Sequence, residues 1–99
     1  MLRIHKQTKA EEDLVNIWLY SMEHWGVVQA DQYLDQLNTA LTSISINPEI
    51  GIDCSELRAG YRKLHVREHY IFYRLNRDFI SVIRILGDEM NYQPILEND

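Results

Sequence analysis

Apolar residues recur along this chain with two different periods, and the change between them divides it. At the start, "LRIH" (residues 2–5) sets Leu2 and Ile4 on one side and Arg3 and His5 on the other, the alternation of a short strand. Thr8 and Glu11 in "TKAE" then have the spacing of a capping box, which predicts a helix start at Thr8. Ala10, Leu14, Ile17, Trp18, Met22 and Trp25 follow at three- and four-residue intervals, as one face of an amphipathic helix requires. Gly26 interrupts that face and suits the left-handed position after a helix end. A second helical stripe runs through Ala30, Tyr33, Leu34, Leu37, Ala40, Leu41 and Ile44, and "NP" at Asn47 and Pro48 closes it, because a residue before proline is pushed out of helical geometry. So short a connection predicts an antiparallel helical hairpin.

Beyond a loop holding Gly51 and Cys54 the period becomes two. Residues 61–67, 70–75 and 79–86 read as strands rich in Val, Ile, Tyr and Phe, joined at "EH" and "NRD". In the last strand Val82, Arg84 and Leu86 are expected on one face and Ile83 and Ile85 on the other, so a central strand covered by helices on one side is expected. The closing "GDEMNYQPILEND" is polar, with an apolar patch at Met90, Tyr92, Ile95 and Leu96. These elements predict an α+β fold over one domain, residues 1–99. An N-terminal strand and a helical hairpin precede a three-stranded antiparallel meander, all forming one small sheet whose second face is left open for work.

Charge changes this picture. The chain carries a net charge of -5, yet residues 58–86 hold seven Lys and Arg against two Asp and Glu. The flanking segments are acidic, at -6 for residues 1–57 and -4 for residues 87–99. A concentrated basic block points to an anionic partner or to a sheet rimmed with solvated charge. Arg62 shares parity with Leu64 and Val66, and Arg84 with Val82 and Leu86. A cation among apolar neighbours needs a partner, either internal, such as Asp13, or external.

Other chemistry is sparse. His65 and His69 are four residues apart, but in strands that spacing straddles a turn, so no metal site is expected. Glu11, Glu12 and Asp13 sit in a first helical turn, where the helix dipole accounts for them. Cys54 is the only cysteine and has no activating partner in sequence, and Gly51, Gly60 and Gly87 match no phosphate-binding loop. Trp18 and Trp25 lie on the apolar stripe and are expected in the core. One cysteine rules out an intrachain disulfide, no apolar run reaches the length of a membrane span, and the acidic-turning N-terminus lacks a signal-peptide core, so a cytoplasmic protein without cofactor is expected.

The segments "DLVNIWLYSMEHWGVVQADQYLDQL", "NPEIG", "LRAGYRKL", "HYIFYRL" and "VIRILGDEMN", in that order, resemble the ParE toxins of the RelE/ParE superfamily of toxin–antitoxin systems. The likeness runs from Leu2 to about Pro94 and agrees with the element order derived above. It implies a bacterial toxin that poisons DNA gyrase by stabilising its cleaved-DNA complex. It also implies a ParD-like antitoxin whose disordered segment folds on binding to form a hetero-oligomer. The basic block, Arg58, Tyr61, Arg62, Lys63, Arg67, Arg74 and Arg84, would then be the partner-binding surface. Sequence-specific DNA contacts are expected from the antitoxin rather than from this chain.

RelE-type members of the superfamily cleave messenger RNA on the ribosome, an alternative in which Arg62 and Arg84 would stabilise phosphate and Tyr92 or His65 would move the proton. Where many relatives carry a histidine after "IRIL", this chain has Gly87 followed by Asp88 and Glu89. A third possibility is a non-toxic module that survives as an antitoxin partner and co-repressor.

Overall fold

The computed structural model describes residues 1–98. The chain forms β1 (Arg3–Lys6), α1 (Thr8–Trp25), α2 (Val27–Ile46), β2 (Ile52–Asp53), β3 (Tyr61–Val66), β4 (His69–Leu75), β5 (Phe79–Gly87) and α3 (Tyr92–Glu97). The strands make one sheet in the order β1-β5-β4-β3-β2. β1 runs parallel to β5, pairing Arg3 with Phe79 and Lys6 with Val82, while β5, β4, β3 and β2 are successively antiparallel. The meander and the interior position of β5 match the sequence reading, and β2 and α3 are additions to it.

The hairpin packs on one face of the sheet. Ala10 and Leu14 of α1, with Leu37, Leu41 and Ile44 of α2, meet Ile71, Tyr73, Ile80, Val82 and Ile85 in one buried cluster. Full burial of aliphatic side chains of this size is worth about 1.5–3 kcal/mol each. A single residue joins the helices. Gly26 has φ 90° and ψ 168°, a region essentially closed to residues with a Cβ. Its N–H caps α1 at the Met22 carbonyl and its carbonyl accepts from Ala30.

The start of α1 departs from expectation. Thr8 is already helical, the N-cap is Gln7, and no side chain caps the helix. The physical reason is that β1 runs straight into α1. The Gln7 N–H is spent on the Val82 carbonyl across the sheet, and the Gln7 carbonyl receives the Glu11 N–H. The tryptophans are also not core. Trp25 is 59% exposed at the hairpin tip, and Trp18 is half-exposed with its indole N–H donated to Asp31 at 2.9 Å. Between them Ser21 is the buried residue, so the buried side of α1 passes through Ala10, Leu14 and Ser21.

The last strand changes phase midway. Phe72 pairs with Arg84 but Tyr73 pairs with Val82, which leaves Ile83 as an extra residue in a β-bulge. Val82 and Ile85 therefore both face the helical hairpin, and Ile83 and Leu86 both face away from it. Strict alternation fails at the bulge, and with it the expected sharing of one face by Val82, Arg84 and Leu86.

The second face of the sheet is not open. Leu96 of α3, fully buried, packs with Cys54, Tyr61, Phe72, Ile83 and Leu86, and Tyr92 and Ile95 flank it. The apolar patch in the tail is thus the buried stripe of a short helix.

Candidate functional site

The basic block is dispersed by the fold, and most of its members have structural partners. Arg84 reaches Asp13 with two hydrogen bonds, Nε to Oδ2 at 2.8 Å and Nη2 to Oδ1 at 2.9 Å. The same carboxylate accepts the Ile85 N–H at 2.9 Å, so it closes the edge of β5 where β1 has already ended. The internal partner proposed from sequence for Arg84 is the one the fold supplies. Arg62, on the helix side of β3, donates to the Gly51 carbonyl at 2.7 Å and more weakly to the Glu49 carbonyl.

Arg62 belongs to a tightly fitted loop. The Tyr73 hydroxyl donates to the Pro48 carbonyl at 2.7 Å and accepts the Gly51 N–H at 2.9 Å, and burial raises the Tyr73 pKa above that of a free phenol. A Cβ at Gly51 would sit 2.6 Å from the Tyr73 hydroxyl and 2.9 Å from the Lys63 carbonyl.

On the opposite face the cations hold α3. The Lys63 ammonium donates to the Tyr92 hydroxyl at 2.9 Å and lies 4.7 Å and 5.2 Å from the ring centres of Tyr70 and Tyr92. The bond to Tyr92 raises the Lys63 pKa. Arg58 donates to the carbonyls of Leu96 and Glu97 at the end of α3 and stands over the Tyr61 ring, which is itself buried. Cys54, 1% exposed beneath this helix, has its thiol pushed up to about 11 by burial.

Arg67 occupies the β3–β4 turn with φ 53° and touches Gln36 of α2. Arg74 is exposed, lies along Gly60, and makes no hydrogen bond or ion pair among the described residues. Of the seven residues singled out from sequence, Arg74 therefore has the freest charge.

The histidines separate. His65 meets Asp88 at 2.9 Å on the α3 side, whereas His69 turns to the helices, its Nδ1 2.5 Å from the Tyr33 hydroxyl. Burial lowers the His69 pKa and raises that of Tyr33, so both are neutral at pH 7 and the hydroxyl can donate to the imidazole. The Tyr33 oxygen also lies by the Val66 carbonyl and the Glu68 N–H, so it fastens the β3–β4 turn to α2. Sequence reasoning placed Tyr33 only on an apolar stripe, and the unpaired polar end of a tyrosine on such a stripe was its one signal.

Residues 4–92 match the family described as "ParE toxin of type II toxin-antitoxin system, parDE". The chain is 42% identical over 83 residues to Toxin ParE1 of Mycobacterium tuberculosis (strain ATCC 25618 / H37Rv), covering 83% of this chain and 85% of that protein. It is 39% identical to Toxin ParE1 of Caulobacter vibrioides over 83 residues, covering 84% and 85%. Among solved structures it is similar to one titled "Chromosomal ParDE TA system from P. aeruginosa", with TM-score 0.79 at 19% identity over 90% of this chain and 98% of that one. The YoeB dimer from Staphylococcus aureus is similar at TM-score 0.61 and 20% identity, again over 90% and 98%. At those identities the two structures speak for the fold, and the family match and the closer sequences speak for kinship: this chain belongs to the ParE toxins of type II toxin–antitoxin systems, within the RelE/ParE superfamily.

Proposed function

We propose that this chain is the toxin of a type II pair, that it inhibits DNA gyrase by stabilising the cleaved-DNA complex in the cytoplasm, and that a ParD-like antitoxin neutralises it. The observation that carries the reading is the match to the ParE family across residues 4–92. The fold supports an inhibitor over a ribonuclease through the state of the groups that cleavage would use. Arg84 is committed to Asp13, Arg62 to two backbone carbonyls, His65 to Asp88 and the Tyr92 hydroxyl to Lys63. An arginine already paired with a carboxylate has little charge left for a phosphate. Antitoxin control has a parallel in two similar structures, titled as a ParDE system and as a YoeB-YefM complex.

The test is to incubate the purified chain with gyrase, ATP and supercoiled plasmid and to resolve the DNA after detergent and protease. Linear DNA is expected to accumulate, and to vanish when the ParD-like antitoxin is added first. Unchanged supercoiling and no linear product, from chain shown by circular dichroism to be folded, would move the target elsewhere.

A further inference from the structure

A cleft of about 1070 Å³ opens between the tip of the helical hairpin and the end of the sheet where β5 leaves it. One lip carries Tyr20 and Trp25, which are 57% and 59% exposed, and the other carries Met90, 47% exposed. Large apolar side chains facing each other across an open groove are a common anchor for a partner's side chain.

Two further features of the walls narrow the occupant. β1 covers β5 only as far as Val82, and beyond it the edge is closed from within: Asp13 takes the Ile85 N–H, Met90 donates its N–H to the Gly87 carbonyl, and Ile85 and Leu86 are buried. An occupant of the cleft is therefore held by side chains rather than by strand pairing. The charge of the rim is acidic. Glu68, Asp88 and Glu89 line it against Arg67, and the Asp13 charge is met by Arg84. Arg67 is turned to Gln36 and Asp88 to His65, while Glu68 and Glu89 make no side-chain hydrogen bond or ion pair among the described residues. The amides of Asn16, Gln29 and Gln32 also face the cleft with no partner among the described residues.

We propose that this cleft docks a polypeptide segment in which lysines or arginines flank a large apolar side chain. The apolar group sits between Trp25 and Met90, and the cations meet Glu68 and Glu89. The site shares Arg67 with the basic block but does not include Arg74, and it does not depend on the gyrase reading.

The cleft contains its own reporter. Trp18 and Trp25 are the only tryptophans, so Trp18→Phe leaves Trp25 as the sole emitter. The probe is a short synthetic peptide alternating lysine with leucine and phenylalanine, titrated at low salt beside a counterpart with glutamate in place of lysine. The lysine peptide is expected to shift Trp25 emission saturably, and Glu68→Lys with Glu89→Lys to weaken it about tenfold. The control Glu49→Lys with Glu56→Lys makes the same change in net charge beside β2, away from the cleft, and should leave the affinity within about twofold. Should the first pair fail to fold, Glu89→Lys alone is expected to give a loss in the same direction. Equal losses in both pairs, equal binding of the glutamate peptide, or no saturable response would each overturn the proposal.

Discussion

Gly51 shows how much of this fold is fixed by single atoms. The Tyr73 hydroxyl and the Lys63 carbonyl approach its Cα so closely that a methyl group would have to displace the loop between α2 and β2. The same residue supplies the carbonyl that holds Arg62 and the N–H that holds Tyr73. Gly51→Ala is therefore expected to cost about 2–4 kcal/mol, from overpacking together with strained buried hydrogen bonds. Urea denaturation measures this directly, and a loss below about 0.5 kcal/mol would show that the loop yields freely. In sequence this glycine was readable only as punctuation, because the demand on it comes from a tyrosine 22 residues later. The partners of Arg62 were illegible for a related reason: its parity showed that a partner was needed, but nothing local pointed to the carbonyls of Glu49 and Gly51, whereas the carboxylate named for Arg84, Asp13, is the one that arrives.

At the level of elements, the helices and the meander were legible because their apolar periods are long and unbroken. The second strand, two residues long, carries no period at all. The bulge at Ile83 was hidden because an inserted residue leaves composition unchanged and only shifts which side chains share a face. The six-residue α3 lacks the length to show a helical period, and its stability comes from what it packs on. That dependence can be measured through Cys54, which lies in the cluster that Leu96 completes. Leu96→Ala is expected to speed modification of the Cys54 thiol by Ellman's reagent by about tenfold or more, because both the cover and the desolvation that raises its pKa are reduced. Lys63→Met, which removes the bond to Tyr92 but keeps the bulk, should produce a smaller acceleration. An unchanged rate in both variants would mean that Cys54 is shielded by the loop from Cys54 to Tyr61 rather than by α3.

For the whole molecule, the excess of cations in residues 58–86 proves to be two populations with different work. Arg58, Arg62, Lys63, Arg67 and Arg84 are bound within the fold, and Arg74 and Arg77 stand on the surface with no hydrogen bond or ion pair among the described residues. Counting charges along the chain could locate the excess but could not divide it, since the division is made by strand register and by α3. The division separates two effects that a charge scan would confuse. Arg74→Glu is expected to leave the melting temperature nearly unchanged while weakening binding of a ParD-like antitoxin about tenfold in low-salt calorimetry. Arg62→Glu should lower the melting temperature, because it removes the donor that the Gly51 carbonyl requires. Unaltered antitoxin affinity in Arg74→Glu would exclude this arginine from the interface.

The parallel pairing of β1 with β5 has a consequence in time as well as in space. Arg3 finds its strand neighbour in Phe79, and Asp13 finds its counter-charge in Arg84. Pairings across so many residues form late, after the intervening polymer has been made and its loop-closure entropy overcome. The sheet therefore cannot close on a nascent chain before β5 has emerged, and until then the hairpin waits with its apolar face uncovered. Anything that intercepts the unfinished chain before β5 emerges meets a hairpin without its sheet.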